Sequence, residues 1–216
     1  MKLSTTFAVI SVAMLSAAAT ADTYYASYGW EDGGTIVGSY GNLGGAFNVA
    51  NPQGDGNSLM IQEDPVGGTP QAFVCWINGL TEGDYVTASF MGYGNNDTGD
   101  SSVRLWSHYT ATGGDVDSYH GSAGGDGTYS EDTWTYMSNQ WTFNSDGGNH
   151  GGLVIEARIY TTGSDNGYAY VDDLFVEVVD ADGSGGIEII LPGAVPAPGA
   201  LALLGFAGLA GSRRRR

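Results

Sequence analysis

Six residues on two segments carry the chemistry worth weighing first. Arg104, Trp106 and His108 alternate along one segment, and Glu156, Arg158 and Tyr160 alternate along another. In an extended chain, residues two apart point the same way, so each trio lines one strand face. A tryptophan offers a flat apolar surface, an arginine a rigid fork of donors, and a glutamate a pair of acceptor oxygens. Flat faces for C–H surfaces and planar polar groups for hydroxyls are what sugar recognition requires. The residues alone leave a second reading open, an Arg–Glu cluster that satisfies itself with an aromatic on top. Enzyme chemistry finds less support. No Ser-His-Asp signature, phosphate loop or metal-binding helix is present, and Glu156 beside an arginine reads equally as a structural pair.

The elements that would position these residues are strands. The chain has 36 glycines and 12% aromatic residues, a balance that favours short strands and glycine turns over helices. Alternation and turn punctuation predict about eight strands, near 46–49, 58–62, 71–79, 84–92, 102–110, 133–143, 152–161 and 168–179. Asn51-Pro52, Gly67-Gly68, Gly113-Gly114, Gly124-Gly125 and Asp146-Gly147-Gly148 are among the turns between them. Short strands at even spacing imply a two-sheet sandwich or jelly roll. Its core faces are Val86, Ala88 and Phe90; Val103 and Leu105; and Leu153, Ile155, Ala157 and Ile159. Trp76, Trp134 and Trp141 are expected in the core as well. If 84–92, 102–110 and 152–161 share a sheet, Tyr85, Thr87, Ser89 and Met91 join the two trios on one polar-aromatic surface.

Charge narrows the partners. There are 24 acidic residues against 7 basic ones, for a net charge of −17. All the acids lie between Asp22 and Glu188, where the only basic residues are Arg104 and Arg158. Such a domain repels phosphates and anionic lipid, so nucleic acid is excluded as a partner. Acidity also serves solubility. The single cysteine, Cys75, forms no internal disulfide and sits in an apolar run as an inert buried thiol. His108, His120 and His150 show no ligand spacing, so no zinc site is expected.

The two ends are of a different kind. Residues 1–21 have a positive Lys2, an apolar run from Phe7 to Ala19 and the small-x-small site Ala19-Thr20-Ala21. This is a secretory signal cut by signal peptidase, with the mature chain starting at Asp22. Residues 181–194 read as an acidic, glycine-rich linker after a domain spanning 22–180. From the last residue of the domain, Asp180 to Ile187 matches half a calcium-binding EF-hand loop, but position 12 is Leu191, so a linker is the expectation. The segment 195–216 begins Val195, Pro196, Ala197, Pro198, Gly199. Gly199 to Gly211 form an apolar run of 13 residues, and Arg213, Arg214, Arg215 and Arg216 close the chain. As a helix the run spans about 20 Å, short of the roughly 30 Å hydrocarbon core. The arginines would keep the extreme end cytoplasmic and the domain outside.

This tail resembles the PEP-CTERM sorting tails of Gram-negative bacteria, with Ala197 where the motif has Glu. The resemblance implies an exosortase-type sorting enzyme as partner, association with extracellular polysaccharide, and an address in the cell envelope, at the outer surface or in the matrix. A second resemblance covers residues 24–179. Gly29-Trp30-Glu31-Asp32-Gly33, Gly56 to Leu59, Leu80 to Met91, Thr133-Trp134, Gln140 to Phe143 and Tyr170 to Leu174 resemble, in order, the motifs of carbohydrate-binding modules of families 4 and 9. That implies a galactose-binding-like jelly roll, a glycan ligand on the face of Arg104, Trp106, His108, Glu156, Arg158 and Tyr160, and a structural Ca²⁺ held by Glu31 and Asp172. The sequence is thus read as all-β, a jelly-roll β-sandwich of about eight strands between a signal peptide and a short apolar C-terminal sorting helix. It would be an exported, non-catalytic binder of extracellular polysaccharide or other glycan. The alternative is a structural cell-surface or biofilm-matrix protein with no specific ligand.

Overall fold

The structure, a computed structural model, describes residues 21–95, 100–163 and 167–193. The secretory signal, apart from Ala21, and the sorting tail from residue 195 with its expected helix lie outside the described residues. Among the described residues, no helix is long and apolar enough to cross a membrane.

Among the described residues, twelve strands form two antiparallel six-stranded sheets. The first sheet contains β1 (Asp22–Tyr28), β3 (Leu43–Ala50), β4 (Asn57–Glu63), β6 (Tyr85–Tyr93), β9 (Thr135–Thr142) and β11 (Gly167–Asp180). Its order is β3-β4-β11-β6-β9, with β1 also on β11. The second contains β2 (Gly38–Tyr40), β5 (Gln71–Asn78), β7 (Ser101–Ala111), β8 (Tyr119–Gly125), β10 (His150–Thr161) and β12 (Glu188–Ile190). Its order is β12-β5-β10-β7-β8, with β2 also on β5. The fold is the expected jelly-roll β-sandwich.

The core lies where the alternation puts it. Val86, Ala88, Phe90, Val103, Leu105, Leu153, Ile155, Ala157 and Ile159 are all fully buried between the sheets. Because the side-chain period is two, burying these residues turns their neighbours outward. The tryptophans are sorted differently from expectation. Trp141 is in the core, but Trp76 and Trp134 are half-buried at its margin, while Trp30 is completely buried and donates from Nε1 to the Thr35 carbonyl at 2.8 Å. Strand aromatics at sheet ends have no second layer above them, and alternation does not reveal where a sheet ends.

Two long strands change partners partway. On one edge of β11, residues 167–171 pair with β4 and residues 174–180 with β1. At the changeover, the register with β6 slips between Asp172 and Phe175, and Asp173 has φ 51°. Likewise β5 carries β2 along Gln71–Phe73 and β12 along Trp76–Asn78. The stretch 181–194, expected as a linker, thus includes a short strand on the second sheet. Asp180 is buried where this stretch begins and accepts the amides of Gly183 and Gly185 at 2.8 Å each.

Candidate functional site

β7 and β10 pair centrally in the second sheet, with Glu156 opposite Trp106 and Arg158 opposite Arg104. The six expected residues therefore share one outward face. β6 does not join them. It belongs to the first sheet, so Tyr85, Thr87 and Met91 lie on the opposite side of the molecule. Alternation fixes which way a residue points but not which strand lies beside it.

β5 completes the floor on the other side of β10. A bulge makes Ile155 face Cys75 and Glu156 face Phe73, so Val74 is the extra residue. The bulge keeps Val74 and Cys75 in the core and presents Phe73 and Gln71 outward beside Glu156.

The outward face is not simply exposed. Glu156 is completely buried and His108 is 1% exposed. One Glu156 oxygen faces His108 Nδ1 at 2.5 Å, and the other accepts from Arg158 Nε at 2.6 Å. With its amide oriented to suit both neighbours, Gln71 donates to Glu156 at 3.2 Å and accepts from Arg158 at 3.1 Å. A buried carboxylate persists only when so satisfied. Because Nδ1 serves the carboxylate, His108 turns Nε2 away from it. That atom is buried without a partner in the protein. Phe73 packs edge-on against the imidazole at 4.9 Å, and Tyr119 of β8 lies 5.3 Å away.

Trp106 has a different part from the one expected. Its Nε1 donates to Ser122 Oγ at 2.9 Å, and the guanidinium carbons of Arg104 and Arg158 lie 4.4 and 4.7 Å from its ring centre. Its ring is a platform for two cations. Arg104 is fixed further by the Asp126 carbonyl at 2.8 Å and the Tyr129 hydroxyl at 3.1 Å, and Tyr160 packs edge-on against Tyr129 at 5.3 Å.

The free aromatic surface belongs to residues the sequence reading missed. Tyr40 of β2 is 67% exposed and Tyr119 of β8 is 62% exposed. Together with Gln71, Phe73, His108 and Arg158 they bound a groove of about 470 Å³, with Ser39 and Asp117 at its rim. A strand of three residues and a glycine-rich one give too little alternation to place either tyrosine. The groove thus has tyrosines at its sides and fixed hydrogen-bonding groups on its floor, a layout typical of small-ligand sites.

A second cluster lies where β11 changes partners. Asp172 accepts from Asn51 Nδ2 at 3.0 Å and from the Asp173 amide at 2.8 Å, while Glu31 accepts the Asn57 amide at 3.0 Å. Burial, with the charges of Asp173 and Glu31, pushes the Asp172 carboxyl up to about 6. Of these causes the charge of Glu31 is the weakest.

No protein-family model matches the chain. No curated protein matches it. Solved structures do resemble it. The CBM22-1–CBM22-2 tandem domain of Paenibacillus barcinonensis Xyn10C superposes with a TM-score of 0.52 at 14% identity, over 79% of this chain and 50% of the tandem. This chain therefore spans about half the tandem's length. The CBM22-2 xylan-binding domain of the same protein gives 0.49 at 15% identity, covering 69% of this chain and 96% of that one. A family 30 carbohydrate-binding module gives 0.43 at 12% identity, covering 70% and 98%. What the likeness to the tandem domain shows is the fold alone, a two-sheet β-sandwich.

Proposed function

We propose that this protein is a non-catalytic glycan-binding module whose ligand lies in the groove on the second sheet. The observation that carries this is the pairing of two exposed tyrosines with a floor of buried, prearranged polar groups. Tyr40 and Tyr119 supply flat faces for the C–H surfaces of a sugar ring. Arg158 and Gln71 supply planar donors and acceptors for hydroxyls, and His108 Nε2 is a buried polar atom that a ligand hydroxyl satisfies. Arg104, Trp106 and Tyr160 extend the surface along β7 and β10. The net charge of −17 opposes acidic polysaccharides, so the glycan is neutral.

Glu31 and Asp172 fit a structural calcium ion, since paired hard carboxylates in a half-buried site suit Ca²⁺. The ion would bind the Gly29–Gly33 turn to β11. In this reading residues 1–21 direct export, and the tail with Val195, Pro196, Ala197, Pro198, Gly199 and the four terminal arginines delivers the domain to an exosortase-type enzyme at the envelope of a Gram-negative bacterium. A purely structural matrix role has one observation in its favour: the guanidinium groups over Trp106 are already held by the protein, Arg104 by the Asp126 carbonyl and the Tyr129 hydroxyl, and Arg158 by Glu156.

The test is a pull-down on insoluble neutral polysaccharides, xylan and cellulose among them, comparing wild type with Tyr119→Ala in calcium and in chelator. Retention of the wild type and its loss in the variant supports the reading. No retention on any glycan by the folded protein favours the matrix role.

A further inference from the structure

Two histidines remain outside the groove. His120 lies early in β8 and His150 begins β10, far apart in sequence, yet the fold brings both to one end of the second sheet beside Asp146 of the 3₁₀ turn Asp146–Gly148. One ligand atom from each of the three lies within 4.8 Å of the others. The imidazole centres are 5.1 Å apart and the rings are inclined at 71°, so they meet edge to face rather than stacking.

His150 is held in a way that selects its chemistry. Tyr109 stacks flat on it at 4.1 Å and 2°. Nδ1 lies 2.7 Å from the Asn144 carbonyl, and Nε2 lies 3.1 Å from the His120 carbonyl. A neutral imidazole has one N–H. If Nδ1 donates to Asn144 at the shorter contact, Nε2 presents a lone pair to another acceptor. That opposition is relieved either by a second proton, which makes both nitrogens donors, or by a metal cation on Nε2. An imidazole whose Nδ1–H is fixed by a backbone carbonyl and whose Nε2 keeps its lone pair is also the arrangement that metal-binding histidines adopt. Negative charge is close at hand. Glu82 accepts the Ser145 amide at 2.6 Å and the Ser145 hydroxyl at 2.7 Å, one residue from Asp146. Asp146 itself is anchored by Asn149 Nδ2 at 3.1 Å.

We propose that His120, Asp146 and His150 form a binding site for a divalent first-row transition ion. Two imidazole nitrogens and one carboxylate oxygen suit Zn²⁺ or Cu²⁺, and the solvent-exposed position leaves further coordination sites for water or a ligand. Two imidazoles set this site apart from the all-oxygen cluster at Glu31 and Asp172. The ion would tie the 3₁₀ turn between β9 and β10 to β8, across the edge of the sheet.

The test is a calorimetric titration of the full chain with Zn²⁺ in excess calcium, which occupies carboxylate-only sites, together with the Cu²⁺ electron paramagnetic resonance spectrum. One equivalent of Zn²⁺ binds, and nitrogen hyperfine coupling appears with Cu²⁺. His120→Ala and His150→Ala each weaken Zn²⁺ binding by at least about tenfold. His120 is exposed, so its variant gives a readout even if His150→Ala disturbs folding. Zn²⁺ binding unchanged in a folded His120→Ala protein, or Cu²⁺ coupling that still shows two nitrogens in it, overturns the proposal.

Discussion

The two outer faces of this sandwich are both rich in aromatic residues, and they differ in what lies beneath. On the first sheet, Tyr25 is 65% and Tyr136 64% exposed, comparable to Tyr40 and Tyr119 on the second. Below the second pair, a completely buried carboxylate joins an imidazole, a guanidinium and an amide, and one imidazole nitrogen is left without a partner. The outward residues of the central strands in the first sheet, among them Thr87, Ser89, Met91 and Glu177, build no such buried charge network among the described residues. An exposed aromatic is common on any protein. Buried polar groups are costly to assemble, so finding them under exposed aromatics sets the second face apart from the first.

The comparison breaks most visibly in stability. Glu156→Ala leaves Arg158 and His108 unpaired in a buried site and should cost about 3–5 kcal/mol. Glu177→Ala, at a partly exposed site on the other sheet, should cost within about 0.5 kcal/mol. Urea unfolding of both variants measures the difference, and equal costs would remove the distinction between the faces. The next effect is on affinity. Tyr119→Ala should weaken glycan binding by at least about tenfold, near 1.4 kcal/mol, while Tyr136→Ala leaves it unchanged. Trp106→Ala should fall between them, since that ring supports the arginines rather than offering its own face. Affinity electrophoresis in polysaccharide gels ranks all three.

The smallest effect sharpens a contrast within the first sheet. The Asp172 carboxyl titrates near 6 in the folded protein, above its ordinary 3.8, through burial and the charges of Asp173 and Glu31. A carboxyl raised by folding favours the folded state at low pH, and that contribution is lost as pH rises from about 4 through 6. Without calcium, the melting temperature should therefore decline over this range. Added calcium should restore it most above pH 6, where the carboxylate is ionised. Asp172→Asn should remove both responses in a thermal melt.

Much of this fold was legible as alternation. β4, β6, β7, β10 and β11 all announce a core face, because a strand buried on one side must alternate. β1, β2, β8 and β12 did not, being short, edge-placed or, in β8, nearly half glycine. Six site residues were legible as two outward trios. Their burial was not, since Gln71, Phe73 and Tyr119 cover Glu156 and His108 from strands whose neighbours alternation cannot assign. The same blindness left open whether β6 shares a sheet with β7 and β10, and it hid His120 and His150 from each other.

The central claim is that the ligand sits between Tyr40 and Tyr119, over His108. Its most direct test is a nuclear magnetic resonance titration of the protein with a soluble neutral oligosaccharide, following the tyrosine ring signals and the His108 imidazole nitrogens. The account predicts shifts confined to Tyr40, Tyr119 and His108 Nε2, with Tyr25 and Tyr136 still. Shifts on the first sheet, with the groove silent, would contradict it.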